Sequence, residues 1–208
     1  MSENIRVAID GPSGAGKSTL ARSVAARLNF LYVDTGAIYR TIGYAVWRKG
    51  IDPRDRSAVV AVLPDLEICL TYGTDGLQHM ELNGMDVTAE IRLPEVSRYA
   101  SLVSAYPEVR AYLLEMQRQL ARENSVVMDG RDIGTVVLPD ADVKIYLTAT
   151  AEERTRRRMA EYEAKGIPAD FETLLQEVNL RDEQDKNRAV APLKQAEDAI
   201  VLDSTHLD

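Results

Sequence analysis

The sequence predicts an α/β protein in which a five-stranded parallel sheet carries helices on both faces. Three observations favour this class: short apolar runs recur along the chain, helical segments alternate with them, and a glycine-rich loop follows the first run. Strands covered on both faces are typical of parallel sheets, because the connecting helices pack on them. With 45% hydrophobic residues in 208, the chain can bury the core of one compact domain, which we expect to span residues 1–208.

Short apolar runs are the candidate strands of this sheet; they cover residues 5–10, 30–33, 125–128, 143–147 and 199–202. A helical pattern follows the first run through Val24, Ala25 and Leu28. Pro107 fits the first turn of another helix, which extends to Arg122. Runs of this length that alternate with helices predict parallel pairing.

The middle and the end of the chain add two further features. Residues 66–88 hold three short extended stretches, and the Asn83-Gly84 pair between two of them is a strong hairpin signal, so we expect a small antiparallel insert. Later, Thr150 and Glu153 fit a capping box and Gly166 fits a helix end, which brackets a helix bearing four arginines. Asp170 is placed to cap the helix that follows.

The composition narrows the classes of protein that the chain can represent. It has no apolar run of about 18 residues, and its first residues do not read as a secretory signal, so we expect none. Cys69 is its single cysteine, which excludes an internal disulfide. A net charge of −8 disfavours binding to nucleic acid. We expect a cytoplasmic monomer whose partners are small molecules, with neither a membrane nor a nucleic acid among them.

The glycine-rich loop carries the most specific motif of the sequence. Gly11-Pro12-Ser13-Gly14-Ala15-Gly16-Lys17-Ser18 matches G-x-x-x-x-G-K-[ST] between a strand and a helix. Such a loop turns backbone N–H groups toward phosphate oxygens, Lys17 would reach the β and γ phosphates, and the Ser18 hydroxyl would ligate Mg²⁺. Asp129 ends another apolar strand and could orient the metal directly or through water. The sequence therefore predicts a nucleoside triphosphate as ligand, with Mg²⁺.

A small-molecule kinase is the interpretation that we favour for a protein with such a loop. A kinase of this kind needs a second anion site for its acceptor, and the sequence offers candidates for it. Arg40 follows the second parallel strand and Arg131 follows the third, at the ends of strands where open sheets bind ligands. Arg181, Asp185 and Arg188 are spaced i, i+4, i+7, which predicts one helix face, although an exposed ion-pair ladder would show the same spacing.

Two alternatives to this interpretation remain open at the level of residue patterns. One is a regulatory nucleotide switch that transfers nothing, although the Asn-Lys-x-Asp guanine motif of GTPases is missing from the sequence. The other is a kinase that acts on UMP, AMP, shikimate or dephospho-coenzyme A. A comparison of acceptors in an ADP-release assay would separate them.

Four motifs together resemble the bacterial cytidylate kinases, a family of nucleoside monophosphate kinases, over nearly the whole chain. They are Ile9-Asp10-Gly11-Pro12-Ser13-Gly14-Ala15-Gly16-Lys17, Asp34-Thr35-Gly36-Ala37-Ile38-Tyr39-Arg40, Asp129-Gly130-Arg131-Asp132-Ile133-Gly134-Thr135 and Arg181-Asp182-x-x-Asp185-x-x-Arg188. The resemblance implies a P-loop kinase fold and transfer of the γ-phosphoryl group of ATP to CMP or dCMP. It also implies that residues 66–100 form an acceptor-binding insert and that residues 150–170 form a mobile lid over ATP.

The resemblance also implies roles for individual residues. The residues expected to bind CMP are Thr35, Arg40, Ser101, Arg110, Arg131, Asp132, Arg181, Asp185 and Arg188. Those expected to bind ATP are Gly11, Pro12, Ser13, Gly14, Ala15, Gly16, Lys17, Ser18, Thr19 and, from the lid, Arg154 and Arg158. Lys17, Arg40, Arg131 and Arg157 are the expected catalytic residues. Thr35 stands where relatives often have serine, which preserves the hydroxyl group.

The chemistry of cytosine agrees with two of these residues. Arg110 only donates hydrogen bonds and an ionised Asp132 only accepts them, so if they converge on one base they match the O2 and N3 acceptors and the N4 donor of cytosine. Uracil would place its O4 acceptor against Asp132, a buried mismatch that costs about 1–3 kcal/mol. We expect Asp185 to accept from a sugar hydroxyl. Arg154, Arg157 and Arg158 share a helix face by spacing, whereas Arg156 points elsewhere.

Overall fold

The computed structural model describes residues 4–74 and 76–207. In chain order, its strands are β1 (Arg6–Asp10), β2 (Leu31–Asp34), β3 (Ile68–Tyr72), β4 (Gln78–Leu82), β5 (Met85–Asp86), β6 (Val126–Gly130), β7 (Val143–Thr148) and β8 (Ile200–Asp203). Its α-helices are α1 (Lys17–Leu28), α2 (Thr35–Arg48), α3 (Arg56–Val62), α4 (Pro94–Val103), α5 (Pro107–Glu123), α6 (Ala151–Ala164) and α7 (Phe171–Asn187).

The large sheet has five strands in the order β2-β6-β1-β7-β8, and it is the parallel sheet that the apolar runs predict. β1 pairs in parallel with β6 on one side and with β7 on the other, and β7 pairs in parallel with β8. The observed strand ends lie within two residues of the predicted ones. No helix among residues 4–74 and 76–207 is long and apolar enough to cross a membrane.

The chain divides into two compact units. The first unit comprises the residues up to Tyr32 and those from Asn124 onward, and the second unit runs from Val33 to Glu123. That residues 1–208 form a single domain stays a prediction.

The core of the first unit lies where α1 covers the sheet. Ala21 and Ala25 of α1 are buried with Ile9 of β1 and Val127 of β6. Small side chains on the helix let its backbone approach the strands, and the apolar strands supply the area removed from water. This packing fixes the start of α1, which follows directly after the glycine-rich loop.

Local signals in the first unit place the ends of its later helices. The Thr150 hydroxyl accepts from the Glu153 N–H at 3.3 Å at the start of α6, and the Asp170 carboxylate accepts from the Thr173 N–H at 2.9 Å at the start of α7. Gly166 follows α6 with φ at 67°. These caps confirm the predicted helix bounds. All four residues of β8 are exposed.

The second unit contains the predicted antiparallel insert. β4 pairs with β3 on one side and with β5 on the other. Asn83 and Gly84 join β4 to β5 with φ at 51° and 76°, the two positive values that a type I′ turn requires. The hairpin signal in the sequence is confirmed.

Helices α2, α3 and α4 of the second unit are findings of the structure that the sequence patterns did not give. α2 begins because the Asp34 carboxylate accepts from the Ala37 N–H at 2.9 Å. α2 then packs closely against α4: a Cβ atom on Gly43 would lie only 2.7 Å from the Ala100 nitrogen. A glycine is therefore needed at position 43.

Candidate active site

The glycine-rich loop joins β1 to α1 in the first unit. A Cβ atom on Gly11 would lie 1.9 Å from the Leu147 carbonyl oxygen of β7, so no larger residue fits there. Gly16 has φ at 86° and stands immediately before α1. The N-terminus of α1 therefore opens onto the loop, and its unpaired N–H groups favour an anion there.

Lys17 is buried at the start of α1, with an exposed fraction of 5%. Its Nζ atom donates to the Pro12 carbonyl oxygen at 2.7 Å, which holds the ammonium over the loop. Burial lowers the pKa of Lys17 to about 7, and the positive charges of Arg131 and Arg181 act in the same direction. The two arginines therefore lie within electrostatic range of Lys17.

A pair of oxygen ligands lies next to Lys17. The Ser18 hydroxyl donates to Asp129 Oδ2 at 3.0 Å, and the Tyr32 hydroxyl donates to Asp129 Oδ1 at 2.8 Å. Both carboxylate oxygens are thus held in place. A hydroxyl and one carboxylate suit Mg²⁺, which takes a few protein oxygens and completes its shell with water and substrate phosphates. Ser18 and Asp129 fit the predicted metal site, and Tyr32 is a further residue that the sequence did not indicate.

Three of the predicted acceptor residues form an ion-pair cluster with Arg131 in the first unit. Arg131 Nε lies 2.9 Å from Asp185 Oδ2, and Arg188 lies 3.3 Å from Asp132 and 3.9 Å from Asp185. Burial alone would raise the pKa of Asp185, but Arg131 and Arg181 hold it below its usual range. The cluster therefore keeps the Asp185 carboxylate ionised next to its arginines.

The prediction that Arg181, Asp185 and Arg188 share one helix face is wrong for Arg188. α7 ends at Asn187, and Arg188 has extended backbone with φ at −63° and ψ at 140°. Its Nε atom donates to the Ala191 carbonyl oxygen at 2.5 Å. Arg188 reaches the cluster because the chain turns after the helix, a change of direction that periodicity alone does not reveal.

Arg154 of α6 connects the predicted lid helix to the glycine-rich loop. Its guanidinium forms two hydrogen bonds with the Asp182 carboxylate, at 3.0 and 2.5 Å, and donates to the carbonyl oxygens of Ala149 and Ser13 at 3.0 and 3.1 Å. Only 4% of the Arg154 side chain is exposed. Asp182 is a further residue whose part in the site the sequence did not give.

The other arginines of α6 differ in exposure as their spacing predicts. The Arg156 side chain is 63% exposed, against 25% for Arg157 and 26% for Arg158, so the prediction that Arg156 points elsewhere is confirmed. Arg157 donates to the Ser204 hydroxyl at 3.2 Å, and that hydroxyl in turn donates to the Ala15 carbonyl oxygen of the loop. The roles of Arg157 and Arg158 toward ATP stay predictions.

In the second unit, Arg40 belongs to a charged group centred on Asp34. Asp34 Oδ2 lies 2.9 Å from Arg40 and 3.1 Å from Arg92. Burial opposes ionisation of Asp34, but the two arginines hold its pKa below the usual range. Gln78 of the insert fixes the backbone of Asp34 through two hydrogen bonds of its side-chain amide. Arg92 carries no sequence motif that would have marked it.

The remaining predicted acceptor residues also lie in the second unit. Thr35 is buried in the first turn of α2, and Arg110 of α5 lies over the Tyr39 ring, 5.2 Å from its centroid. Arg110 donates to the Ser104 carbonyl oxygen at 3.1 Å, and the Ser104 hydroxyl donates to the Ser101 carbonyl oxygen at 3.0 Å. Ser101 and Arg110 are thus linked through Ser104. Because Asp132 belongs to the first unit, its convergence with Arg110 on one base stays a prediction.

These features define the class of protein. A parallel sheet, a glycine-rich loop at the end of its central strand, a buried lysine and a serine beside a strand-end carboxylate are the parts of a P-loop nucleotide-binding protein.

Comparison with known proteins identifies the family. Residues 7–208 match the cytidylate kinase family model. Cytidylate kinase of Caldicellulosiruptor bescii is 51% identical over 205 residues, which cover 99% of this chain and 90% of that protein. Cytidylate kinase of Shouchella clausii is 50% identical over 207 residues, which cover 100% of this chain and 92% of that protein. The chain belongs to the cytidylate kinase family. A shikimate kinase structure from Bacteroides thetaiotaomicron, at 15% identity and a TM-score of 0.45, covers 95% of this chain and 84% of its own.

Proposed function

We propose that this chain transfers the γ-phosphoryl group of ATP to CMP or dCMP, giving ADP and CDP or dCDP in pyrimidine nucleotide metabolism. One observation carries the proposal: Arg131 is ion-paired with Asp185 in the cluster described above, which we call the acceptor cluster, while the charge of Arg131 acts on Lys17 of the glycine-rich loop, here called the phosphate loop. A cation expected to bind the donor and one expected to bind the acceptor are therefore within electrostatic range. Transfer between two phosphate groups needs this proximity.

The reaction needs no base from the protein. The bond between the γ-phosphorus and the β–γ bridging oxygen breaks, and an oxygen of the CMP phosphate forms the new bond. A phosphate monoester has a second pKa near 6, so the attacking group is largely dianionic at neutral pH. The protein therefore contributes alignment and the neutralisation of charge on the transferring group.

Lys17 is the main protein cation for the donor. Its pKa of about 7 leaves part of the population uncharged at neutral pH, but the negative charge of a bound triphosphate favours the protonated form. The ammonium then donates to oxygens of the β and γ phosphates. Mg²⁺ held by Ser18 and Asp129 would supply a Lewis acid for the same phosphates.

The residues of the acceptor set divide the recognition of CMP among them. We propose that Arg131 and Arg40 neutralise charge on the transferring phosphoryl group. Asp185 accepts a hydrogen bond from a sugar hydroxyl, and Asp132 and Arg110 bind the base. Support comes from the ionised state of Asp185 and from the Asp132–Arg188 pair, which keep two acceptors oriented in the first unit. We propose that CMP is also contacted by Arg181, Arg188, Thr35 and Ser101.

The lid residues are assigned to ATP. We propose that Arg154 and Arg158 bind ATP, that Arg157 joins the transferring group, and that closure of residues 150–170 excludes water, which would otherwise accept the phosphoryl group. The contact of Arg154 with the Ser13 carbonyl oxygen supports this assignment. We further propose that the enzyme works as a cytoplasmic monomer on these small substrates, with Mg²⁺.

The proposal is tested by ADP release from ATP and Mg²⁺ with one acceptor at a time: CMP, dCMP, UMP, AMP, shikimate and dephospho-coenzyme A. We expect the highest kcat/KM with CMP and dCMP. Release of ADP that never depends on an acceptor would instead indicate a nucleotide switch. A preference for any other acceptor would indicate a kinase of different specificity. Lys17→Ala serves as the inactive control.

A further inference from the structure

Asp10 is a buried carboxylate to which the reaction above gives no task. It is the last residue of the central strand β1, next to Gly130 of β6 and Tyr146 of β7. Its Oδ1 atom accepts from the Ile133 N–H and its Oδ2 atom from the Gly134 N–H, both at 2.7 Å. Both oxygens of one side chain are thus bonded to consecutive amides of a segment more than 120 residues away.

These two amides begin a short π-helical turn, Ile133–Val137, that follows directly after Arg131 and Asp132. The first N–H groups of a helical turn have no partner inside the turn and need an acceptor from outside. Asp132 stands at the usual capping position, but its side chain makes no capping hydrogen bond there and pairs with Arg188 instead. Asp10 caps the turn from another strand.

The surroundings of Asp10 keep it rigid and make it sensitive to substitution. Burial raises the pKa of Asp10 to about 6, while the two amide hydrogen bonds act in the opposite direction, so it is mostly ionised at neutral pH. The charged and titratable groups near it are Lys17 of α1, Arg131 and Asp132 after β6, and Tyr146 of β7. A carboxylate with two short amide bonds is a strong anchor for a backbone segment.

We propose that Asp10 is a positioning residue for the acceptor: by capping the Ile133–Val137 turn, it fixes where Arg131 and Asp132 present their side chains to the CMP phosphate and base. This inference rests on the proposed function. It assigns to the strand before the phosphate loop a role in acceptor selectivity, not only in holding ATP.

A second effect of Asp10 must be separated from this one. Its negative charge also raises the pKa of Lys17, so removing the charge alters the donor site too. Gly134→Ala separates the two effects because it keeps every charge. A Cβ atom at position 134 would lie 3.1 Å from Lys144 Cδ and 3.4 Å from Asp10 Oδ2, so the Lys144 side chain or the turn itself must give way by a few tenths of an ångström.

The experiment compares wild type, Asp10→Asn, Gly134→Ala and the control Asp55→Asn, in which an exposed aspartate caps α3 through the Ala58 N–H at 3.0 Å. Asp10→Asn loses one acceptor and sets an NH₂ group against an N–H group. We expect the KM for CMP to rise about ten-fold or more and the CMP/UMP ratio of kcat/KM to fall at least about three-fold, with the KM for ATP within about three-fold. Gly134→Ala changes the same two quantities less, and Asp55→Asn changes neither.

Each remaining outcome overturns a distinct statement. A wild type that releases no ADP with CMP rejects the proposed function itself. An active wild type whose Asp10→Asn variant keeps its KM for CMP and its CMP/UMP ratio rejects the positioning role alone. A change confined to kcat and to the KM for ATP would mean that Asp10 acts through its charge on Lys17 and not on the acceptor. Where Asp10→Asn does not fold, an unchanged KM for CMP in Gly134→Ala rejects the inference.

Discussion

The phosphate loop and the acceptor cluster of the first unit are built in opposite ways. The loop is eight consecutive residues, Gly11 to Ser18, and it presents mainly backbone groups. The cluster consists of side chains whose partners are far apart in the chain: Arg131 and Asp185 are separated by 54 positions, Asp132 and Arg188 by 56. Changes to the loop should therefore affect every acceptor equally, whereas changes to the cluster should discriminate between acceptors.

Lys17→Ala should give the largest effect and should affect all acceptors alike. Removal of one preorganised donor to the transferring phosphate costs about 100-fold or more in kcat. The melting temperature should not fall, because burial lowers the pKa of Lys17 and the fold therefore holds its charge at a cost. Kinetics with CMP and UMP, with calorimetry, measure both. Exposed Lys194→Ala is the control. A variant with near-normal kcat would remove Lys17 from its role.

Arg131→Ala should come next and should begin to separate the two regions. It removes a transition-state cation and leaves Asp185 buried without that partner, so we expect kcat/KM for CMP to fall by roughly 30- to 100-fold. The affinity for ATP alone, measured by titration calorimetry, should change much less. Exposed Arg27→Ala in α1 is the matched control. Equal losses in ATP affinity and CMP turnover would contradict the division between loop and cluster.

Asp132→Asn should act on selectivity more than on rate. The amide can donate to uracil O4 as well as accept from cytosine N4, so the CMP/UMP ratio of kcat/KM should fall by about ten-fold. Asp140→Asn, which alters an exposed carboxylate paired with Arg6, should leave the ratio unchanged. A ratio that stays constant in Asp132→Asn would show that another group reads the base.

The same contrast explains how much the sequence could predict. The loop was predictable because its function depends on consecutive residues between a strand and a helix, and the five strands were predictable from their apolar runs. For the cluster, the sequence indicated which residues belong to it but not how they contact one another. Arg188 lies beyond the end of α7, and Asp10, Tyr32, Asp182 and Arg92 acquire their partners through tertiary contacts that no spacing in the sequence encodes.

Asp182→Asn should give the smallest effect, and it tests a side chain of α7 whose partner, Arg154, contacts the loop. Asp182 belongs to α7, next to Arg181, yet its carboxylate holds Arg154 against the loop at Ser13. The amide keeps one acceptor for Arg154 but loses the ionic part of the pair, so we expect the KM for ATP to rise about three- to ten-fold while the CMP/UMP ratio stays constant. Exposed Glu183→Gln, the next residue of α7, should change neither quantity. A rise in the KM for CMP alone would mean that Asp182 positions the acceptor cluster and not the loop. The division between a loop that binds ATP and a cluster that binds the acceptor would then not hold for α7.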